Sequence, residues 1–431
     1  MTASASASVP DVTLREYGPA LSVPLAAEAG RALMTSGILQ SATPDPRREG
    51  HWLLRAGSRV GAVRTPGGPV VRIMPKTPVS RLFFLLGFSL DPARAWRDSR
   101  EGTVDTGAHD DIVPALAHAV ERQVDAALRK GVLQGYREVE ESALVVRGRL
   151  REAEQIRRHF GRTPPVEIVY DAFTADTAEN RILRAAVERL LRLPGVPGPV
   201  RRRLTHQRLR LADAQPLIRG QELPRWQPSR LNSRYQPALR LAEAVLRGAS
   251  PEHRPAQAEP LAVDGFLFDM NKLFEDFVTV ALREALREHG LTARLQDPHH
   301  LDTAGLVRMR PDLVVRTGDG RTPVAVVDAK YKIEKADGLL NADLYQALAY
   351  ATVLGLREAH LVYAAGRQPE RFHEVHGTAA GPERRGVRLY QHTLDLSRTP
   401  EQLLSRIREL AGKLASASAA PLPQSSDTVT L

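Results

Sequence analysis

The strongest constraint in this sequence is a pair of β-rich runs that each carry a carboxylate and are joined by a short glycine-bearing turn. The first run is Arg308-Met309-Arg310-Pro311-Asp312-Leu313-Val314-Val315, and the second is Pro323-Val324-Ala325-Val326-Val327-Asp328-Ala329-Lys330. Between them lies the polar turn Thr317-Gly318-Asp319-Gly320-Arg321. Such a pattern predicts a β-hairpin. Folding it about residues 319–320 places Asp312 opposite Asp328, to within about one residue of register. The two-residue period then sets Val324, Val326, Asp328 and Lys330 on one face of the second strand. A charged pair closing an apolar face needs a partner or a task, because buried charge is costly.

Phosphodiester hydrolysis suits these groups. Two hard carboxylates favour Mg²⁺, or Mn²⁺ in its place, and such ions keep several waters and bind substrate phosphate directly. A cation held there lowers the pKa of a bound water and offsets the charge that builds on the phosphorus oxygens. Lys330 is placed to hold the attacking water and to stabilise the same charge. The spacing Pro311-Asp312 then Asp328-Ala329-Lys330 is that of the PD-(D/E)xK nucleases. A bare Asp-x-Lys also arises as an edge-strand salt bridge, worth about 0–1 kcal/mol. The hairpin context and the apolar approach to the pair argue for the nuclease.

Two flanking elements add candidates. In Met270-Asn271-Lys272-Leu273-Phe274-Glu275-Asp276-Phe277, the apolar stripe marks a helix on which Glu275 either faces the metal or is an ordinary solvated acid. In Tyr345-Gln346-Ala347-Leu348-Ala349-Tyr350, Gln346 and Tyr350 share a helix face. They either orient the lysine or contact DNA, or they are a core pair with satisfied polar tips.

The predicted order from Met270 onward is helix, two strands (306–315 and 323–331), helix 341–354, strand 359–363, and a last strand and helix (386–392, 400–414). That order implies a mixed sheet flanked by helices, the restriction-endonuclease-like class of α/β domain. Ahead of it a separate α+β region is expected over 11–248. It is β-rich over 11–76, where Arg59–Val63 and Val70–Met74 form a hairpin about Pro66-Gly67-Gly68, and mainly helical over 82–248. Val113, Leu116, Val120, Val124 and Leu128 mark one helix, and 180–193 and 231–246 mark two more, while 143–150 reads as strand. The proline-rich stretch 249–261 is the expected linker, 262–415 the nuclease domain, and 1–10 and 416–431 unstructured tails.

Net charge is +10, which suits a polyanionic partner, although an arginine-rich composition raises the isoelectric point without one. The excess is uneven. Residues 1–260 hold 39 Lys and Arg against 28 Asp and Glu, whereas residues 261–431 hold 21 against 22. Nine arginines and one acid fall between Arg181 and Arg210. Within them, Arg201, Arg202 and Arg203 are candidates for DNA phosphate contact, with docking on an acidic partner or a solvated helix face as the alternatives. With no cysteine, disulfides and thiolate metal sites are excluded. His299-His300 lacks a spaced third ligand and reads as a polar loop. No signal pattern begins the chain, and the apolar run 82–90 is far short of the roughly 20 residues that span a bilayer, so a cytoplasmic protein without membrane contact is expected.

Taken together, the motifs around Glu275, Arg310-Pro311-Asp312, Asp328-Ala329-Lys330-Tyr331-Lys332 and Tyr345–Ala351 resemble the McrC family, the nuclease subunits of McrBC-type restriction systems. Three N-terminal stretches share the likeness: Val71–Lys76 with Leu82–Gly87, Val146–Leu150, and Tyr170–Leu183. The resemblance implies Mg²⁺ at a metal set of Asp312, Asp328 and Ala329, with Lys330 as a catalytic residue. It also implies an McrB-type AAA+ GTPase motor that recognises DNA containing methylated cytosine, and an N-terminal region that docks on this ring and stimulates it. No G-x-x-x-x-G-K-[ST] phosphate loop occurs, so GTP would be bound only by that partner. Two other readings are a stand-alone repair or recombination nuclease of the same fold and a non-catalytic activator of the motor.

Overall fold

The computed structural model describes residues 11–64, 68–90, 111–218, 221–247, 264–331, 341–364, 370–375 and 386–418. The expected linker 249–261, the tail 1–10, most of the C-terminal tail, the turn residues Pro66 and Gly67, and Lys332 lie outside the described residues. Two compact units divide the chain: residues 1–74 with 108–267, and residues 75–107 with 268–431.

The first unit begins with β1 (Val12–Arg15), β2 (Leu21–Pro24), α1 (Ala27–Thr35), β3 (Ser41–Pro44) and β4 (His51–Arg55). Then come β5 (Arg59–Arg64) and β6 (Val70–Met74). After α2 (Val79–Leu90), which belongs to the second unit, the chain returns with α3 (Ile112–Leu128), β7 (Gly135–Ala143), β8 (Arg149–Leu150) and α4 (Glu152–His159). It continues through β9 (Val166–Thr174), α5 (Ala178–Leu191), α6 (Gly198–Arg210), α7 (Gln236–Arg247) and β10 (Asp264–Asp269).

The expected β5–β6 hairpin is present, with Arg64 opposite Val70 and Gly61 opposite Ile73. It sits in a four-stranded sheet of order β1-β6-β5-β10, while β2-β4-β3 form a second sheet. Gly61 and Gly265 let β5 and β10 close up. A Cβ on either would come within 2.3 Å of a backbone oxygen across the pair, and both hold positive φ.

The α3 stripe read from sequence is buried throughout, and Asp111 caps the helix by accepting from Val113 N at 3.1 Å. Arginines finish the surrounding helices. Arg201 donates to Leu191 O at the end of α5 and to Leu193 O just past it (2.6 Å each), Arg210 to Leu128 O at the end of α3 (2.5 Å), and Arg189 to Leu246 O in α7 (2.8 Å). The carbonyls that a helix leaves unpaired at its C-terminus are what these guanidinium groups satisfy.

The sequence reading of 143–150 as one strand is corrected. Strand β7 ends at Ala143, and Leu144–Gly148 forms the exposed link to the two-residue β8, both strands flanking β9. A β-branched run reports a residue preference, whereas pairing decides where a strand lies.

The second unit continues from α2 with α8 (Met270–Arg287), β11 (Thr292–Leu295), β12 (His299–His300), β13 (Arg308–Met309), β14 (Leu313–Arg316) and β15 (Pro323–Lys330). It ends with α9 (Asn341–Leu354), β16 (Glu358–Tyr363), β17 (Arg371–Glu374), β18 (Arg388–Thr393) and α10 (Pro400–Ser418). Six strands form one sheet of order β11-β14-β15-β16-β18-β17. Pairing is antiparallel from β11 to β15, parallel for β15-β16 and β16-β18, and antiparallel again at β17, so the expected mixed sheet is observed.

Val314, Val326, Ala359, Leu361 and Leu389 pack on Ala347, Tyr350 and Ala351 of α9. The alternate residues of β15 are buried too, and α8 and α10 pack against that strand and each other. Helix α2, assigned from sequence to the N-terminal region, belongs here: Phe84 and Phe88 make edge contacts with Phe277 of α8 at centroid separations of 5.6 and 5.3 Å. The expected C-terminal boundary also moves, since α10 runs to Ser418. Among the described residues no helix is long and apolar enough to cross a membrane.

Candidate active site

The β14–β15 hairpin pairs Leu313 with Val327, Val314 with Val326 and Val315 with Ala325, a register that carries Asp312 to Asp328 as the turn predicted. Ala329 N donates to Asp312 Oδ2 at 2.8 Å, which fixes that carboxylate at the end of β15. Both acids are buried, at 8% exposure for Asp312 and 3% for Asp328.

Glu275 joins them through a residue that the sequence reading missed. Gln296 Nε2 donates to Asp312 Oδ1 at 2.9 Å and also to Glu275 Oε1, so one amide ties the helix acid to the strand acid. Glu275 is also paired with Lys272 at 2.8 Å, which satisfies part of the solvated-acid reading as well. Gln296 takes φ +51°, an uncommon conformation for a residue with a side chain, and donates its own N–H to Asp312 O at 3.0 Å.

The other three predicted residues form a chain. Lys330 Nζ lies 2.5 Å from Asp328 Oδ2 and donates to Gln346 Oε1 at 2.9 Å, and Gln346 Nε2 donates to the Tyr350 hydroxyl at 2.8 Å. Gln346 therefore orients the lysine, and Tyr350, buried in the α9 core, anchors Gln346. Asp343, one turn earlier on the same helix face, is a second residue the sequence reading missed. It is 4% exposed and accepts from the Tyr363 hydroxyl at 3.4 Å.

Electrostatics follow from this crowding. Burial, then Asp328, then Glu275 raise Asp312 to about 8, well above the ordinary carboxylate range. Burial works to discharge Lys330, but Asp328, Asp312 and Asp343 outweigh it and raise its pKa. Burial and Asp328 likewise raise Tyr350.

These residues fit a divalent cation bound through few protein ligands. Asp328 Oδ2 is buried and, although it is close to the Lys330 ammonium, makes no hydrogen bond of good geometry. It is a hard oxygen held by its ion pair with Lys330, beside a second carboxylate. Among the described residues no three His, Cys, Asp or Glu side chains form a metal cage. Mg²⁺ commonly takes only one or two carboxylates and keeps its waters, so the pair suffices. Ala329 has only its backbone carbonyl to offer; the interaction it makes at this site is through its N–H.

The arginine triplet sits elsewhere, in the first unit. Arg201 caps α5, Arg203 pairs with the buried Glu121 at 2.9 Å, and Arg202 is exposed. His299 pairs with Asp297 at 3.1 Å and His300 is exposed, and the two form the short strand β12 where a polar loop was expected from sequence.

The sequence model of the McrBC 5-methylcytosine restriction system component family matches residues 54–364. This chain belongs to that family. No curated protein sequence matches it. Among solved structures, it is similar to a chain in a half-complex from a tetradecameric assembly of Thermococcus gammatolerans McrB AAA+ hexamers with bound McrC. The two share 17% identity and a TM-score of 0.56 over 94% of this chain and 100% of the other, a likeness of fold. A chain of the Thermococcus gammatolerans McrBC complex aligns at 18% identity over 64% of this chain and 88% of its own, with a TM-score of 0.38. The McrBC family assignment thus takes in both units, since residues 54–364 run from β4 past the carboxylate hairpin to the end of β16.

Proposed function

We propose that this chain is the DNA-cleaving subunit of a modification-dependent restriction system, hydrolysing phosphodiester bonds at a PD-(D/E)xK site. The observation that carries the reading is the buried Asp312–Asp328 pair with Lys330 on the same strand end. Asp312 and Asp328, with the Ala329 carbonyl, would hold Mg²⁺ or Mn²⁺. When bound, such an ion supplies Lewis-acid stabilisation of the phosphate and a water of lowered pKa.

The chain's own groups prepare the rest. Lys330, kept charged by its acidic neighbours and aimed by Gln346, offers N–H donors where negative charge grows on the phosphate oxygens. Gln296 holds Glu275 and Asp312 at a shared amide, so the carboxylates keep their spacing despite mutual repulsion. The buried strand surround lowers the local dielectric and strengthens each of these interactions.

The family membership supports the partner expected from sequence. The chain acts with an McrB-type AAA+ GTPase motor, which binds the GTP and selects DNA with modified cytosine, and its first unit docks on and stimulates that ring in the cytoplasm. The test is to reconstitute chain and motor on methylated DNA with GTP and Mg²⁺. Asp312→Ala and Lys330→Ala abolish cleavage and leave GTPase stimulation intact. Undiminished cleavage would sink the assignment. Stimulation without cleavage by the unsubstituted chain would make it an activator, and cleavage with no need of any motor would make it a stand-alone nuclease.

A further inference from the structure

Strands β11 and β14 pair up to Leu295 and Leu313. The same two chain segments then run past the sheet and re-pair as β12 and β13, with His299 opposite Met309 and His300 opposite Arg308. Gln296 and Asp312, two residues of the acid cluster, stand at this junction. A β-ribbon therefore grows directly out of the candidate active site.

Its tip is built to hold one shape. Leu301 N donates to Val307 O at 2.8 Å, Asp302 accepts from Val307 N at 2.7 Å and Leu306 N at 3.1 Å, and Gly305 takes φ +70°. A loop with its polar backbone satisfied this way is pre-organised. Yet Leu306 is 81% exposed, and Leu301 and Val307 are each 49% exposed. Single exposed leucines need no explanation, but three apolar residues on one fixed tip do.

The charges around the tip select the occupant. Arg308 and Arg310 are exposed on the returning strand, and Arg310 also donates to Gln296 O at 3.2 Å. Asp297 at the base is taken up by Arg316 and His299, and Asp302 by the tip's own backbone. The ribbon thus presents cations and apolar surface together. Minor-groove binders combine arginines with an apolar wedge in the same way. Leu301 is five positions beyond Gln296, so at about 3.3 Å each the tip lies within roughly 17 Å of the amide that bridges the acids. That is about half a turn of duplex from a phosphate held there.

We propose that the ribbon Asp297–Arg310 is an arm that grips the DNA duplex beside the scissile phosphate. Leu306 enters the minor groove, and Arg308 and Arg310 contact phosphates. The inference rests on the nuclease reading above and assigns it a substrate-holding element.

The test measures binding of a short fluorescein-labelled duplex by the full chain, with and without the motor, across a NaCl series in an Asp328→Asn background. Removing both arginines (Arg308→Ala with Arg310→Ala) lowers the log–log salt slope by about 1.8, roughly 0.9 for each lost phosphate contact. Leu306→Ser weakens binding about tenfold and leaves the slope unchanged, because no counterion is released at an apolar contact. A benzophenone amino acid at position 306 crosslinks to the duplex. Melting temperatures within the range of surface substitutions confirm that each variant is folded.

Unchanged affinity and slope, no duplex binding by the parent chain, or crosslinks to the motor alone would each overturn the arm. If the arm variants fail while Asp312→Ala still abolishes cleavage, only the arm is lost. If cleavage survives Asp312→Ala while the arm variants weaken binding, the nuclease assignment falls and the DNA contact stands.

Discussion

On the nuclease reading proposed above, Gln346 is where the chemistry depends on a residue that need not touch substrate. Its amide oxygen is one of two anchors of the Lys330 ammonium, and its amide nitrogen is fixed in turn by Tyr350. Without it, Lys330 remains charged beside Asp328 but is free to rotate. Gln346→Ala is therefore expected to lower kcat for cleavage by about 10–100-fold, the usual cost of losing an outer partner, while KM changes little. Steady-state cleavage kinetics at saturating motor check this, and a change confined to KM would contradict it. A similar asymmetry holds for the arginine triplet. Arg201→Ala removes two charge-assisted bonds to carbonyls at and just past the end of α5 and costs about 1–3 kcal/mol in urea unfolding, whereas Arg202→Ala stays within about 0.5 kcal/mol.

At the scale of elements, β16 and β18 carry a buried polar chain on the side of the sheet opposite α9. His360 Nδ1 faces His392 Nε2 at 3.1 Å, and His392 Nδ1 faces Glu370 Oε1 at 3.0 Å. Arg406 and Lys413 of α10 close on Glu370, Tyr390 stacks on His360, and Glu358 lies 3.9 Å from His360 Nε2. Burial first, and then His392, depress His360 from its ordinary 6.5 to about 3, and burial also lowers His392. Burial works to raise Glu370, but Lys413, His392 and Arg406 overrule it and hold the carboxyl at about 2.

The imidazole of His360 is thus neutral in the fold at a pH where the unfolded chain already takes a proton. Its contribution is full above about 6.5 and declines as pH falls toward 3, by about 1.4 kcal/mol per unit. Glu370 adds its own loss only below about 4.5. The fall in melting temperature between pH 7 and pH 5 is expected to shrink in His360→Phe; an equal fall in both proteins would rule out this residue.

How far such elements were legible in sequence varies for physical reasons. The Asp312–Asp328 register was readable to within about one residue because a two-residue period and a glycine turn constrain the hairpin, and helix 341–354 because no glycine or proline interrupts a run rich in Ala and Leu. The role of Gln296 was not readable. Nothing in a lone glutamine announces a positive φ or a bridge to acids 16 and 21 residues away. Asp343 was visible only as a member of the Gln346 helix face, and its burial depends on where β16 lies.

At the scale of the whole molecule, the second unit is assembled from two separated stretches of chain. Phe84 and Phe88 of α2 cover Phe277, so the boundary expected from sequence cuts through a core. A fragment of residues 262–415 is expected to be poorly soluble and to lack a cooperative melt. Tethering residues 75–90 to it restores both, as followed by circular dichroism. A sharp, reversible melt of the short fragment would show that α2 is dispensable.

The split has a consequence during synthesis. Helix α2, with Leu82, Phe83, Leu85, Leu86 and Phe88 buried in the finished protein, leaves the ribosome well before α8 does. At about 5–20 residues per second, the roughly 180 residues between them take about 10–40 s to translate. The first unit is completed only as that interval ends, at residue 267, and is then free to fold before the carboxylate hairpin exists. A translation product truncated after residue 267 therefore carries the first unit without the carboxylate hairpin, so on the nuclease reading proposed above interrupted synthesis yields no cleavage site.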